Sequence, residues 1–265
     1  MAASACASLP NWRAPSNVTE PEPAAADGAE RETLDVAPGF VLAEDEDFAV
    51  RVVTGTVNCS GALIAPDRVL TAHHCIARRG ARGEFLTEHA ALEDIAVELG
   101  GDLLPWGEVA VRAVVAPSCG HGGGAGDLAV LVLKRPLRGV PVRLVELDRA
   151  PVKGDRVVPI GFGRCADASD GTYRKRRAGS PLSRVAEGRV ELEAAICPGD
   201  SGGPAIDVET GRVVGVVSRA IMDANESTLG LAELARLDSF RGLFAAAQQI
   251  ASGANAAELP PLECP

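Results

Sequence analysis

A single hydroxyl set between glycines limits this chain more than any other feature: Ser201, in Cys197-Pro198-Gly199-Asp200-Ser201-Gly202-Gly203-Pro204. So many turn formers exclude a helix there, and glycine lets the backbone approach another group closely. Backbone N–H groups on such a turn can face an incoming carbonyl oxygen. A serine hydroxyl stays a weak nucleophile until a neighbouring base takes its proton. The chain offers a base in Thr71-Ala72-His73-His74-Cys75 and an orienting acid in Gly126-Asp127-Leu128-Ala129-Val130-Leu131. His, Asp, Ser is one of the chain orders in which such a triad occurs on unrelated folds.

With 265 residues the chain can form one two-barrel domain or two small ones. Apolar residues make up 46% but aromatics only 3%, so packing must lean on Val, Leu, Ile and Ala. No apolar run approaches the roughly 20 residues that span a bilayer, and the start lacks a basic segment followed by an apolar one. Met1-Ala2-Ala3-Ser4-Ala5-Cys6 resembles the end of a bacterial lipoprotein signal, which makes Cys6 a candidate lipid anchor against the plainer reading of an idle thiol.

Charge is unevenly spread. Residues 1–47 hold ten Asp/Glu and two Arg, a net of −8 out of −10 for the whole chain. The acidity therefore belongs to an Ala/Pro/Glu-rich leader, residues 1–35, which cannot bury enough apolar surface to fold alone and reads as a disordered linker or pro-segment. No basic patch of the kind nucleic acid requires accompanies it. Protein or peptide substrates are the expected partners.

The body reads as short β-branched runs punctuated by Gly, Pro and Asp, the pattern of a barrel or sandwich. Expected strands are Val50–Val57, Gly61–Ile64, Val69–Ala72, Val109–Val115 and Leu128–Leu133, then Arg156–Gly161, Arg184–Leu192, Gly203–Val208 and Arg212–Ser218. Asp238 or Ser239 suits a helix N-cap, with Phe240, Leu243, Phe244 and Ile250 at helical spacing and Gly253 as a stop. Arg174-Lys175-Arg176-Arg177 reads first as a solvated loop, with a processing site or a dock for the acidic leader as alternatives.

Taken together, these blocks resemble the chymotrypsin-like (trypsin-fold) serine endopeptidases. Gly199–Pro204, the Thr-Ala-x-His-Cys box at 71–75 and Asp127-Leu128-Ala129 look like that family's three catalytic segments. Cys59–Ile64 resembles the strand before the His box, Gly161-Phe162-Gly163 the opening of the second barrel, and Gly215–Ser218 the strand lining the primary pocket. The similarity runs in order over roughly residues 36–250, and the short stretch from Gly161 to Ser201 looks like compact bacterial members.

The resemblance implies an all-β fold: two six-stranded antiparallel barrels with the active site between them and a C-terminal α-helix. The protease domain would cover residues 36–252, with a first barrel at about 36–145, a second at about 146–236, a helix at about 238–251 and a tail at 253–265. It implies Ser201 as nucleophile, His74 as base because the family's base directly precedes the Cys, and Asp127 as the acid that holds its tautomer. Gly199 and Ser201 N–H groups would form the oxyanion hole, with no cofactor and no metal. Ala195, Ile196, Ser218, Arg219 and Ala220 would line the substrate pocket. Ala195 stands where relatives that cut after basic residues carry an Asp, so a small or medium apolar side chain is expected there.

Of seven cysteines, the resemblance pairs Cys59 with Cys75 and makes Cys165–Cys197 plausible. Elimination leaves Cys119 for Cys264, with the pairing of Cys6, Cys119 and Cys264 open. Disulfides imply an oxidising compartment, hence export to a periplasmic, extracellular or lipid-anchored location. A zinc site on His73, His74 and Cys75 is a rival reading, poorly spaced for that metal. Family members are activated when a new α-amino group, beginning Ile-Val-Gly-Gly, pairs with the Asp before the nucleophile. Asp200 is present, whereas Val36-Ala37-Pro38-Gly39 matches badly. A catalytically silent, zymogen-like binding protein is therefore the alternative to an active peptidase.

Overall fold

The computed structural model describes residues 40–42, 45–55, 57–101, 104–164, 172–222 and 228–264. All lie in one compact unit, Val36–Pro265. The leader, Cys6, Val36–Gly39 and Cys165 fall outside the described residues.

After a short strand β1 (Phe40–Leu42), the first half runs β2 (Ala49–Thr54), β3 (Val57–Ala65), β4 (Arg68–Thr71), β5 (Ala77–Arg79), β6 (Phe85–His89), β7 (Ile95–Leu99), β8 (Gly107–Val115) and β9 (Ala129–Leu133). Six of these close an antiparallel barrel in the order β2-β3-β4-β9-β8-β7, and β5 and β6 form a separate hairpin. The second half runs β10 (Arg156–Gly161), β11 (Lys175–Arg177), β12 (Ser180–Ala186), β13 (Arg189–Glu193), β14 (Pro204–Asp207), β15 (Val213–Met222) and β16 (Thr228–Arg236). Here β10-β12-β13-β16-β15-β14 forms a ring closed by β14 pairing back onto β10, while β11 and then β1 extend outward from β10. Two closed six-stranded antiparallel barrels, with one C-terminal helix, are the architecture expected from the resemblance.

Small apolar side chains fill both barrels, as the composition requires. All five residues of β9 are buried, and Val50, Val52, Leu63, Val69, Leu70, Val97 and Val111 surround them. Leu182, Val190, Leu192, Val217 and Leu234 form the core of the second barrel. The helix α1 (Arg241–Ala251) buries Leu243, Phe244, Ala247 and Ile250, and its apolar face joins the first barrel's core. Arg112 of β8 donates to the Ile250 and Ala251 carbonyls at 3.0 and 2.9 Å, adding to the Gly253 N–H that already reaches Ile250 and so helping to satisfy the carbonyl end of the helix. Among the described residues no helix is long and apolar enough to cross a membrane.

Several expectations need correction. Neither Asp238 nor Ser239 caps the helix: Asp238–Phe240 is a 3₁₀ turn, and α1 begins at Arg241 without a side-chain cap. The run Arg184–Leu192 is not one strand but the hairpin β12–β13, reversed at Gly188, whose φ of 68° suits glycine. Nor is Arg174–Arg177 a solvated loop. Arg174, Lys175 and Arg177 are buried, and Arg176 alone is exposed. The strand survives burial because its charges are met. Arg174 pairs with Asp47 at 2.7 Å, Arg176 with Glu46, and Arg177 with Asp200. Glu46 and Asp47 stand between β1 and β2, beyond the leader at 1–35, so the alternative of a dock for that leader lies outside the described residues.

Candidate active site

The His box is held by the barrel on one side and a disulfide on the other. β4 ends at Thr71, and His73–Cys75 form one 3₁₀ turn. Cys75 is joined to Cys59 of β3, and Cys119 to Cys264. Cys197 is also disulfide-bonded, while Cys165, its expected partner, lies outside the described residues. Cys59, His74 and Cys75 group their ligand atoms within 4.8 Å, but the two sulfurs are bonded to each other and neither is a thiolate that could bind zinc.

Of the two histidines, His74 meets Asp127. Its Nδ1 lies 2.7 Å from Asp127 Oδ2, and its backbone N–H donates to Oδ1 at 2.9 Å. Asp127 has no solvent exposure and sits just before β9. Ser218 of β15 donates its hydroxyl to the same Oδ2 at 2.6 Å and accepts the Gly124 N–H at 2.9 Å. The carboxylate thus accepts three hydrogen bonds from two barrels. Phe85 of β6 packs against the imidazole in a T-shaped arrangement, ring centroids 5.8 Å apart, and the Arg79 guanidinium stacks over the Phe85 ring, 3.5 Å from its centroid.

His73 turns away from this cluster. Its Nδ1 donates to the Cys119 carbonyl at 3.1 Å. Burial lowers its pKa from the ordinary 6.5, against the opposing pull of that bond and of the Asp127 charge. The folded state then takes up this proton less readily than the unfolded chain. Its contribution to stability is therefore unchanged above about pH 6.5 and falls as pH drops through the lowered folded value. Thermal melts of wild type and His73→Gln across pH 7 to 5 should show a steeper acid decline in wild type. Parallel declines would remove this account.

Ser201 follows a turn from Cys197 to Asp200, closed by the Asp200 N–H on the Cys197 carbonyl at 2.9 Å. The Ser201 carbonyl accepts from Ser60 of β3 at 2.7 Å, which seats the turn against the His box. Gly202 must be glycine: its φ is +82°, and a Cβ would meet the Ser60 carbonyl oxygen at 2.2 Å. The Pro198 carbonyl takes the Arg164 N–H at 3.0 Å, and the Gly199 carbonyl takes the Ser60 hydroxyl at 2.6 Å. With these carbonyls engaged, the Gly199 and Ser201 N–H groups donate to nothing among the described residues. The Ser201 hydroxyl has no hydrogen-bond partner among them either, and His74 Nε2 has Cys75 Sγ at 3.7 Å.

The remaining expected pocket residues are spread over the second barrel. Ala195 is half-buried, and Ile196 packs into the barrel core with Ala194, Val217 and Leu234, against which Ala220 also rests. Arg219 is exposed and pairs with buried Glu233 of β16 at 3.2 Å, where Arg189 also lies, 3.6 Å away. Asp223 and Glu226, other acids in this region of the sequence, lie outside the described residues. Sequence reasoning assigned Ser218 to the pocket wall and overlooked Ser60, Phe85 and Arg177. Ser60 and Ser218 stand in recognisable strands, but only the tertiary fold shows what they touch.

Comparison with known proteins agrees with the double-barrel fold. Residues 59–216 match the family model of the trypsin-like peptidase domain. A trypsin of Saccharopolyspora erythraea is 27% identical over 198 residues, covering 66% of this chain and 82% of that protein. The peroxisomal leader peptide-processing protease of Mus musculus is 28% identical over 190 residues, covering 67% of this chain but only 28% of that longer protein. Among solved structures, a Glu endopeptidase superposes with a TM-score of 0.60 at 18% identity, covering 78% of this chain and 91% of its own. Mouse neuropsin, a serine protease, gives 0.61 at 17%, covering 77% and 96%. With more than half of its length matched, and the double barrel in place, this chain belongs to the trypsin-like peptidase family.

Proposed function

We propose that the protein is a serine endopeptidase that cleaves peptide bonds through a Ser201-His74-Asp127 triad and an acyl-enzyme. The observation that carries this reading is Asp127 gripping His74 Nδ1 at 2.7 Å while the Gly199 and Ser201 N–H groups stay unspent. Ser201 Oγ attacks the scissile carbonyl carbon as His74 Nε2 accepts its proton. Negative charge gathers on the carbonyl oxygen, facing the two free N–H donors, each worth roughly a hundredfold or more in rate. His74 then hands the proton to the departing amine, the C–N bond breaks, and water repeats the sequence to free Ser201. The Ser201–His74 contact in such triads is often loose without substrate and tightens in the complex.

An activated-serine probe tests the reading directly. A fluorophosphonate should label wild type covalently at Ser201 and leave Ser201→Ala unlabelled. A folded wild type that resists the probe would favour the catalytically silent alternative.

The primary pocket is proposed to favour small or medium apolar side chains. Ala195 offers no counter-charge, and Glu233 is already engaged by Arg219 and Arg189. Burying a guanidinium or ammonium without a partner is costly. Selection among Ala, Val and Leu should be shallow, at ~1–3 kcal/mol per methylene. Peptide-library profiling checks this, and dominant cleavage after Arg or Lys would contradict it. The disulfides accord with an exported protein, and the acidic leader is proposed to be a linker or pro-segment ahead of the domain.

A further inference from the structure

In this family the carboxylate before the nucleophile is expected to wait for a freed chain terminus. In this chain it already has a cation. Asp200 is 1% and Arg177 2% exposed. Arg177 Nε and Nη2 both reach Asp200 Oδ2, at 2.8 and 2.7 Å. The same oxygen accepts the Cys197 N–H at 2.9 Å, and Oδ1 accepts the Gly163 N–H at 2.8 Å. Both carboxylate oxygens are therefore occupied by internal donors.

The surroundings are shaped for this pair. A Cβ on Gly163 would lie 2.3 Å from the Asp200 carboxyl carbon, and one on Gly161 would lie 2.5 Å from Oδ1. Gly-Phe-Gly is thus the bare backbone against which the carboxylate rests. Arg177 Nη2 and Lys175 Nζ both donate to the Gly163 carbonyl, at 2.8 and 3.1 Å. Register fixes the arginine from both sides, because β11 pairs with β10 through Ile160 and Gly161 and with β1 through Phe40 opposite Arg177. Asp47 and Glu46 hold Arg174 and Arg176 of the same run.

We propose that Arg177 is a positioning residue that replaces the freed terminus, so the chain is competent without cleavage ahead of β1. Resting on the peptidase reading above, this concerns how the site is switched on. The mechanism is local. Arg177 fixes the Asp200 carboxylate, which fixes the Cys197–Ser201 turn, which leaves the Gly199 and Ser201 N–H groups facing outward. Removing one partner of a buried ion pair leaves an uncompensated charge, which is strongly unfavourable, and the turn must rearrange to hydrate it.

Two measurements test this. First, full-length protein of verified intact mass is treated with the fluorophosphonate, beside a sample given a limited digestion that frees a terminus near Val36. Equal labelling, with residues 1–39 retained in the adduct, is expected. Labelling of the digested sample alone overturns the inference and leaves the peptidase reading standing; labelling of neither overturns the peptidase reading itself. Second, Arg177→Met should slow labelling and kcat by about a hundredfold or more, the scale of losing an oxyanion donor, with KM little changed. Arg177→Lys should recover part of that loss, because its ammonium restores the charge but not the two-pronged contact. A folded Arg177→Met that labels at the wild-type rate overturns the inference. If that variant fails to fold, the first measurement decides alone.

Discussion

Ser201→Ala and His74→Ala should each lower turnover by on the order of a millionfold, because nucleophile and base act as one unit and losing either removes what both supply. What remains should be the residual thousandfold or more over water that the oxyanion donors and substrate binding give by themselves. His73→Ala is the discriminating control. The two histidines are neighbours in sequence, yet His74 meets Asp127 and His73 meets the Cys119 carbonyl. His73→Ala should therefore act on stability and leave most of kcat intact. Steady-state kinetics on one peptide substrate, with folding checked by circular dichroism, compares all three. Equal damage from His73→Ala and His74→Ala would place the base on the wrong residue.

Asp127→Asn should cost about ten-thousandfold in kcat, the scale expected when the imidazole is held in the wrong tautomer. The geometry says why the amide cannot simply substitute. Every neighbour of the carboxylate is a donor: the His74 N–H at Oδ1, and His74 Nδ1 and the Ser218 hydroxyl at Oδ2. Whichever way the new amide is turned, its NH₂ faces at least one of them. Turned toward Nδ1, it forces the proton onto Nε2, where the ring can no longer accept from Ser201. Ser218 cannot relieve the conflict freely, since its oxygen already receives the Gly124 N–H. A loss of less than tenfold in kcat would show that the tautomer does not depend on this carboxylate.

The segments proposed to be catalytic, and the contact of His74 with Asp127, were legible because the proposed chemistry demands particular residues within a few positions of one another. The charged strand β11 was not. Arg174 finds Asp47 127 positions away, and Arg177 finds Asp200 23 positions away, so no local window reveals that the charges are neutralised. β16 escaped for another reason. Leu231-Ala232-Glu233-Leu234-Ala235-Arg236 consists of good helix formers, and its strand state is imposed by pairing with β13 and β15. Arg184–Leu192 looked continuous because both arms of the hairpin carry strand-like residues, and the reversal rests on Gly188. The helix was visible from its apolar spacing, whereas its start was set by the 3₁₀ turn and not by the polar residues that suggested a cap.

Asp127 also ties the two barrels together. It stands on the first barrel, yet one of its three donors, Ser218, belongs to the second. In the proposed mechanism the charge that sets the proton position on His74 is therefore anchored across a joint, and the proposed base becomes a gauge of how well the two halves are aligned. On that reading, any ligand, variant or solvent that slides one barrel past the other by the length of a hydrogen bond should unsettle turnover while every strand remains paired. For this molecule, inactivation should run ahead of melting.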